Sequence, residues 1–277
     1  MRNHLIAIQG SVASFHDLAA KKYFGQTVST LQCGSFKEVC DKIVNNKADY
    51  GIIAIENKIA GSILLNYQLI EKYDLKIIGE IYLPIELKLL AVPGTKLTHL
   101  TEIISHPMAL GQSQNFLSQL EGVVITEYKD TSTCAKLVSE DSSGRLAVIG
   151  GPAIAIQYNL ETLIESVSDV EQNFTRFYIL SKCEDYVSDP DKASITLQTN
   201  NEPGKLSDVL VIIKNNGLNL TKIQSVPIPN NTKSYSFHLD IEFEERLNFE
   251  KTMQELAKET HHVKILGVYK NKKTESV

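Results

Sequence analysis

The sequence predicts an α/β fold over roughly its first two thirds and a ferredoxin-like βαββαβ unit over the last third. Three observations carry this. Short apolar runs alternate with amphipathic stretches through the first 180 residues, the rhythm of parallel strands joined by helical crossovers. The segment 185–192 holds three Asp, a Ser and a Pro and little that is apolar, which marks a linker. Beyond it the order becomes strand, helix, strand, strand, helix, strand.

In chain order, the apolar runs at 5–9, 28–32, 51–55, 76–82, 87–92, 102–105, 123–128 and 146–150 read as strands. The amphipathic stretches at 14–24, 35–45, 62–73, 108–120 and 132–139 read as the helices between them. In the second unit, strands are expected over 193–199, 218–227, 234–243 and 263–269, and helices over 204–215 and 248–259. The tail 271–277 is polar and expected to fray.

The length of 277 residues suits two domains, and 43% hydrophobic with 22% charged residues is an ordinary globular composition. A formal charge of −5 without basic blocks argues against nucleic acid or an anionic membrane as partner. Cys33, Cys40, Cys134 and Cys183 show neither C-x-x-C spacing nor a zinc-like Cys/His cluster, so free thiols and no metal are expected. The start is too short for a signal peptide and no run approaches a membrane span, so a cytoplasmic location is expected.

Ligands of open α/β sheets gather where strands end and helices begin. Small polar segments stand at five such places: Gly10 to Phe15, Glu56 to Ser62, Ser105-His106-Pro107, Asp130 to Thr133, and Gly150-Gly151-Pro152. Free N–H groups at helix starts, with the hydroxyls of Ser14, Ser62, Ser105, Thr131 and Thr133, suit a small dianion. The same residues also serve as plain caps and turns. Glu56-Asn57 reads as a site or as an Asx turn with Glu56 in a salt bridge. His106 reads as a ligand contact or a structural histidine. Arg176, inside the run Asn173-Phe174-Thr175-Arg176-Phe177, needs an anionic partner, either a structural carboxylate or a ligand's.

Together these stretches resemble the prephenate dehydratases over nearly the whole chain. Ile55-Glu56-Asn57 with Gly61-Ser62 is similar to the family's "IEN…GS" loop. Ser105-His106-Pro107 with Ala109, Leu110 and Gln112 is similar to "SHPxALxQ", and Asp130-Thr131 with Ala135 to a helix start. Asp169, Asn173, Thr175, Arg176 and Phe177 match "D…NxTRF". Pro203-Gly204-Lys205-Leu206 and Asn219-Leu220-Thr221-Lys222-Ile223 resemble the regulatory "PGAL" and "NLTKIESRP" motifs. Departures are Ala13 for a second glycine, Lys58 in "ENS", Met108 after "SHP", and Val226 where the regulatory motif has arginine.

The resemblance implies a bilobal catalytic domain, similar to periplasmic binding proteins, over 1–183, with lobes of roughly 1–80 plus 165–182 and 83–162. A linker over 184–192 and an ACT regulatory domain over 193–271 follow. It implies cofactor-free conversion of prephenate to phenylpyruvate, with L-phenylalanine as effector and a homodimer or homotetramer as assembly. Thr175 would act at the leaving hydroxyl, Glu56 relay its proton, Arg176 anchor a carboxylate or orient Thr175, and Phe177 wall the ring. Asn57 would assist, and Ser14, Phe15, Gly61, Ser62, Ser105, His106, Thr131, Gly151 and Asn173 would bind substrate. Gly204, Leu206, Asn219 and Leu220 would hold L-phenylalanine. Arogenate dehydratase and a non-catalytic amino-acid sensor are the alternatives.

Overall fold

The computed structural model describes residues 4–227 and 234–272. The first stretch contains β1 (Leu5–Gln9), α1 (Phe15–Phe24), β2 (Ser29–Cys33), α2 (Phe36–Val44), β3 (Tyr50–Asn57), β4 (Gly61–Ser62), α3 (Leu64–Lys72) and β5 (Lys76–Pro84). The next contains β6 (Lys88–Ala91), β7 (Glu102–Ser105), α4 (Pro107–Gly111), α5 (Gln114–Leu117), β8 (Val124–Glu127), α6 (Thr131–Ser139), β9 (Leu146–Gly150), α7 (Pro152–Tyr158) and β10 (Glu161–Ile164). Strand β11 (Phe174–Ser181) follows. The last unit is β12 (Lys192–Asn200), α8 (Lys205–Asn215), β13 (Asn219–Val226), β14 (Ser234–Glu242), α9 (Arg246–Glu259) and β15 (His262–Tyr269). Of the polar tail, residues 273–277 lie outside the described residues.

The first lobe is built on the sheet β2-β1-β3-β11-β5, with β4 attached to β3, and the second on β10-β6-β9-β7-β8. Parallel pairs join β1 to β2 and β3, and β7 to β8 and β9. The expectation of purely parallel strands is corrected, because β11 runs antiparallel to β3 and β5, and β6 antiparallel to β9 and β10. Strand β11 enters its sheet from the other lobe rather than through a helix packed on that sheet, so the crossover rule does not fix its direction. The single helix expected near 108–120 is two short ones. The crossing segment supplies the cap of the second, where the Asp169 carboxylate takes the N–H groups of Gln114 and Asn115 at 2.9 Å each.

The third sheet, β13-β14-β12-β15, is antiparallel throughout. One face, including Ala193, Ile195, Leu197, Leu239 and Ile241, packs under α8 and α9 through Val209, Ile213, Phe249 and Met253. The other face packs on the first lobe, where Val226, Leu266 and Tyr269 join Tyr67, Ile77 and Tyr178 in one apolar cluster. Strands β15 and β5 come so close that a Cβ on Gly267 would lie 1.9 Å from the Ile77 carbonyl oxygen, so only glycine fits.

Polar groups complete this joint. Arg176 Nε donates to Glu80 at 2.7 Å, its Nη1 pairs with Asp240, and its Nη2 donates to the Tyr269 hydroxyl at 3.2 Å. Lys192 Nζ reaches Glu80 at 2.8 Å and Ser194 Oγ donates to Asp240 at 2.6 Å. All four charged groups are buried, and two cations meet two carboxylates. Such a set is costly to break from one side, because the partner left behind is a buried unpaired charge.

Candidate active site

A cleft of about 380 Å³ opens between the two lobes. Its first wall is the start of α1. Ser14 caps that helix by accepting the Asp17 N–H, and the preceding Ala13 sits at φ 67°. The buried Asp17 carboxylate holds this turn, taking the Ala13 N–H at 3.0 Å, the Thr30 hydroxyl at 2.9 Å and the Lys21 ammonium at 2.6 Å. Phe15 reaches across to the second lobe, where a Cβ on Gly151 would lie 3.1 Å from its ring. Glycine there lets the lobes touch.

The floor comes from the adjacent ends of β3 and β11, where Thr175 pairs with Asn57. The Asn57 Oδ1 accepts the N–H groups of Ile59 and Ala60 at 3.0 Å each, which fixes the amide's orientation. Its Nδ2 therefore donates, at 2.9 Å to Thr175 Oγ1 and at 2.9 Å to Asn173 Oδ1. Asn173 in turn donates to Gln112 Oε1 of the second lobe at 3.0 Å. Because Thr175 Oγ1 accepts from Asn57, its own O–H remains to donate to a ligand in the cleft. His106 lies opposite. Its Nδ1 accepts the Met108 N–H at 3.1 Å. Burial pushes its pKa down, with partial opposition from Asp130 and Glu127. A neutral ring whose Nδ1 accepts must carry its proton on Nε2, which makes His106 another donor.

The sequence profile of the prephenate dehydratase family matches residues 6–185. The bifunctional chorismate mutase/prephenate dehydratase of Aquifex aeolicus is 32% identical over 266 residues, which cover 95% of this chain and 73% of that protein. The Escherichia coli K12 protein of the same description is 31% identical over 271 residues, covering 95% and 70%. The chain belongs to the prephenate dehydratase family. Among solved structures, GqqA, described as a novel type of quorum quenching acylase, aligns with TM-score 0.87 at 27% identity, covering 98% of this chain and 99% of that one. The prephenate dehydratase of Arthrobacter aurescens in complex with L-Phe aligns with TM-score 0.87 at 22% identity, covering 99% and 92%.

As a prephenate dehydratase the protein is an enzyme, and its cleft gathers eight of the residues expected at the site. Ser14, Phe15, Asn57, His106, Thr131, Gly151, Thr175 and Phe177 all line it. Six others do not. Arg176 and Glu56 stand opposite one another across β11 and β3, one residue from Thr175 and Asn57. Strand side chains alternate between faces, so Thr175 and Asn57 enter the cleft while Arg176 and Glu56 face the third unit. The reading of Arg176 as a carboxylate anchor is corrected to the structural ion pair. Glu56 is likewise not the cleft's proton relay: it bonds Lys222 Nζ at 2.6 Å and its side chain is 41% exposed. Ser62 pairs with Glu56 in β4 and shares its face, and Gly61 serves the turn at φ 75°. Ser105 is buried and donates to the Ile149 carbonyl oxygen at 2.6 Å, bracing β7 against β9. Asn173 lies beneath the floor, in the amide chain.

The cleft is also lined by Gln9, His16, Gln112, Lys129 and Ser132, which the sequence reading did not assign to the site. Gln112 carried a signal, since it ends the motif that begins at Ser105. Gln9 is the last residue of β1, the position where such sheets present ligands.

Proposed function

We propose that this enzyme converts prephenate to phenylpyruvate, CO₂ and water without a cofactor, and that its third unit is an ACT domain which binds L-phenylalanine. The observation that carries the catalytic half is the Asn57–Thr175 hydrogen bond, which leaves the threonine proton available at the cleft floor. The leaving hydroxyl of prephenate needs such a donor as its C–O bond breaks. The C–CO₂ bonding electrons move into the ring as the ring C–O bond breaks, and CO₂ departs. The hydroxyl held by Thr175 leaves with its bonding pair and becomes water with a proton drawn from solvent, and the ring becomes aromatic, which supplies the driving force. His106 and Thr131 add donors for the keto and carboxylate oxygens, and Phe177 offers a wall for the ring. Incubation with prephenate while phenylpyruvate absorbance is followed tests this, and no product under any condition would end it.

GqqA's description raises amide hydrolysis as a second reading. Thr175 accepts from Asn57 and has no hydrogen bond to a base among the described residues, so it is not prepared as a nucleophile. An N-acyl amide offered in the same assay separates the readings. The regulatory half rests on Gly204, at φ 88° where α8 begins, and on Asn219 and Leu220 at the start of the edge strand β13. Two copies placed side by side at β13 would form a homodimer and enclose the effector, with Leu206 on the first turn of α8. Calorimetry with L-phenylalanine, beside the activity assay, tests this half.

A further inference from the structure

Prephenate carries two carboxylates, and the guanidinium expected to meet one of them lies in the interdomain joint. Among the described residues, those lining the cleft include no arginine and one lysine, Lys129, on the loop between β8 and α6. The lining includes one carboxylate, Asp130, whose two oxygens are both engaged by Thr133 at 2.8 Å. Lys129 has no hydrogen-bond or ion-pair partner among the described residues. Most exposed lysines are solvated rim groups. Among the described residues that line the cleft, Lys129 is the only one with an ammonium.

We infer that Lys129 binds the side-chain carboxylate of prephenate and makes the site prefer the keto substrate to its aminated analogue, arogenate. The inference rests on the prephenate reading above. The ring hydroxyl and the quaternary carbon stand at opposite ends of the ring, so with the hydroxyl at Thr175 both carboxylates lie at the far end. The ring carboxylate leaves as neutral CO₂. A cation on it would stabilise the ground state more than the transition state and slow the reaction. The side-chain carboxylate keeps its charge from substrate to product, so a cation there strengthens binding uniformly. In arogenate an ammonium sits one carbon away from that carboxylate, and its repulsion of Lys129 offsets much of the attraction.

Lys129→Gln tests this with steady-state rates on both substrates. The expected result is a KM for prephenate about tenfold higher, the loss of one charge-assisted hydrogen bond, with kcat within about twofold and a smaller change for arogenate. An unchanged KM would overturn the assignment. A raised kcat would place the ammonium on the leaving carboxylate and overturn it too. Equal shifts on both substrates would remove the specificity. Calorimetric titration with phenylpyruvate, which retains the side-chain carboxylate, gives an independent reading. Weaker binding to Lys129→Gln than to the wild type supports the role, and equal binding overturns it. That comparison decides Lys129 even if the wild-type enzyme failed to turn prephenate over, which would instead remove the proposed reaction.

Discussion

Thr175 is placed by its neighbour rather than by its own rotamer alone. The two N–H groups on Asn57 Oδ1 orient the amide, the amide donates to Thr175, and the threonine proton is left for the substrate. Thr175→Val keeps the shape and removes the proton. Its kcat is expected to fall about 10²–10³-fold, the usual loss for one preorganised donor, with a modest drop in melting temperature because Asn57 Nδ2 loses one acceptor and keeps Asn173 Oδ1, and with Thr175→Ser retaining most of the rate. Turnover near wild type in the valine variant would remove Thr175 from the mechanism. His16 makes a second residue-scale prediction. Its ring stands edge-on to Phe177 at 5.1 Å and beside Phe36 at 5.3 Å, and burial lowers its pKa to about 4. A histidine depressed from its ordinary value of 6.5 to about 4 leaves stability intact above pH 6.5. As pH falls from 6.5 toward 4, the unfolded chain binds a proton that the folded one refuses, and stability is lost. The loss is about 2 kcal/mol by pH 5. Urea unfolding at pH 7 and pH 5 should show wild type losing that much more than His16→Gln. Parallel losses would show that His16 is protonated freely in the fold.

At the scale of elements, what was legible follows from where each strand's faces go. Strands 5–9, 102–105 and 146–150 were readable to the residue because apolar runs end at polar turns. The motif around Thr175 was readable as a site, but its two-faced character was not. One residue's step along β11 separates the cleft from the interdomain joint, and no single stretch of sequence says which partner waits on each face. Strand β12 shows why. Ala193, Ile195 and Leu197 face helices, while Ser194 and Thr196 form a polar face that reads as solvated yet is buried. The expected second glycine at position 13 has a physical cause, since Ala13 holds a left-handed φ of 67°. With Arg176 in the joint, Arg176→Leu should act on stability. It strands Glu80 and Asp240 without their guanidinium, at a cost of about 3–5 kcal/mol. Denaturant unfolding reads that loss, and the KM for prephenate in the folded fraction should stay near wild type. A large rise in KM with stability kept would return Arg176 to the substrate.

At the scale of the whole molecule, the third unit touches the cleft floor through a short chain of contacts. On β13 the proposed effector residues Asn219 and Leu220 are followed by Lys222, whose ammonium meets Glu56 at 2.6 Å. Glu56 adjoins Asn57, and Asn57 donates to Thr175. Burial lowers the Lys222 pKa, and the Glu56 carboxylate opposes that shift. The pair thus ties the strand proposed to sense the effector to the strand that orients the threonine. An effector that moves β13 changes this tie, and coupling between sites is a free energy separate from either binding event. Lys222→Met removes the charge, keeps much of the side chain's length, and leaves the cleft lining untouched. If L-phenylalanine acts through this contact, the variant should bind it within about threefold of wild type while its inhibition weakens toward none, since couplings of this kind span about 5–150-fold in affinity. Reciprocity gives a second reading of the same quantity. Phenylpyruvate should shift the L-phenylalanine dissociation constant in wild type, and that shift should shrink in Lys222→Met. Inhibition unchanged in a variant that still binds L-phenylalanine would show that the signal reaches Thr175 by another route, such as the contacts of Arg176 and Tyr178 on β11 with Asp240.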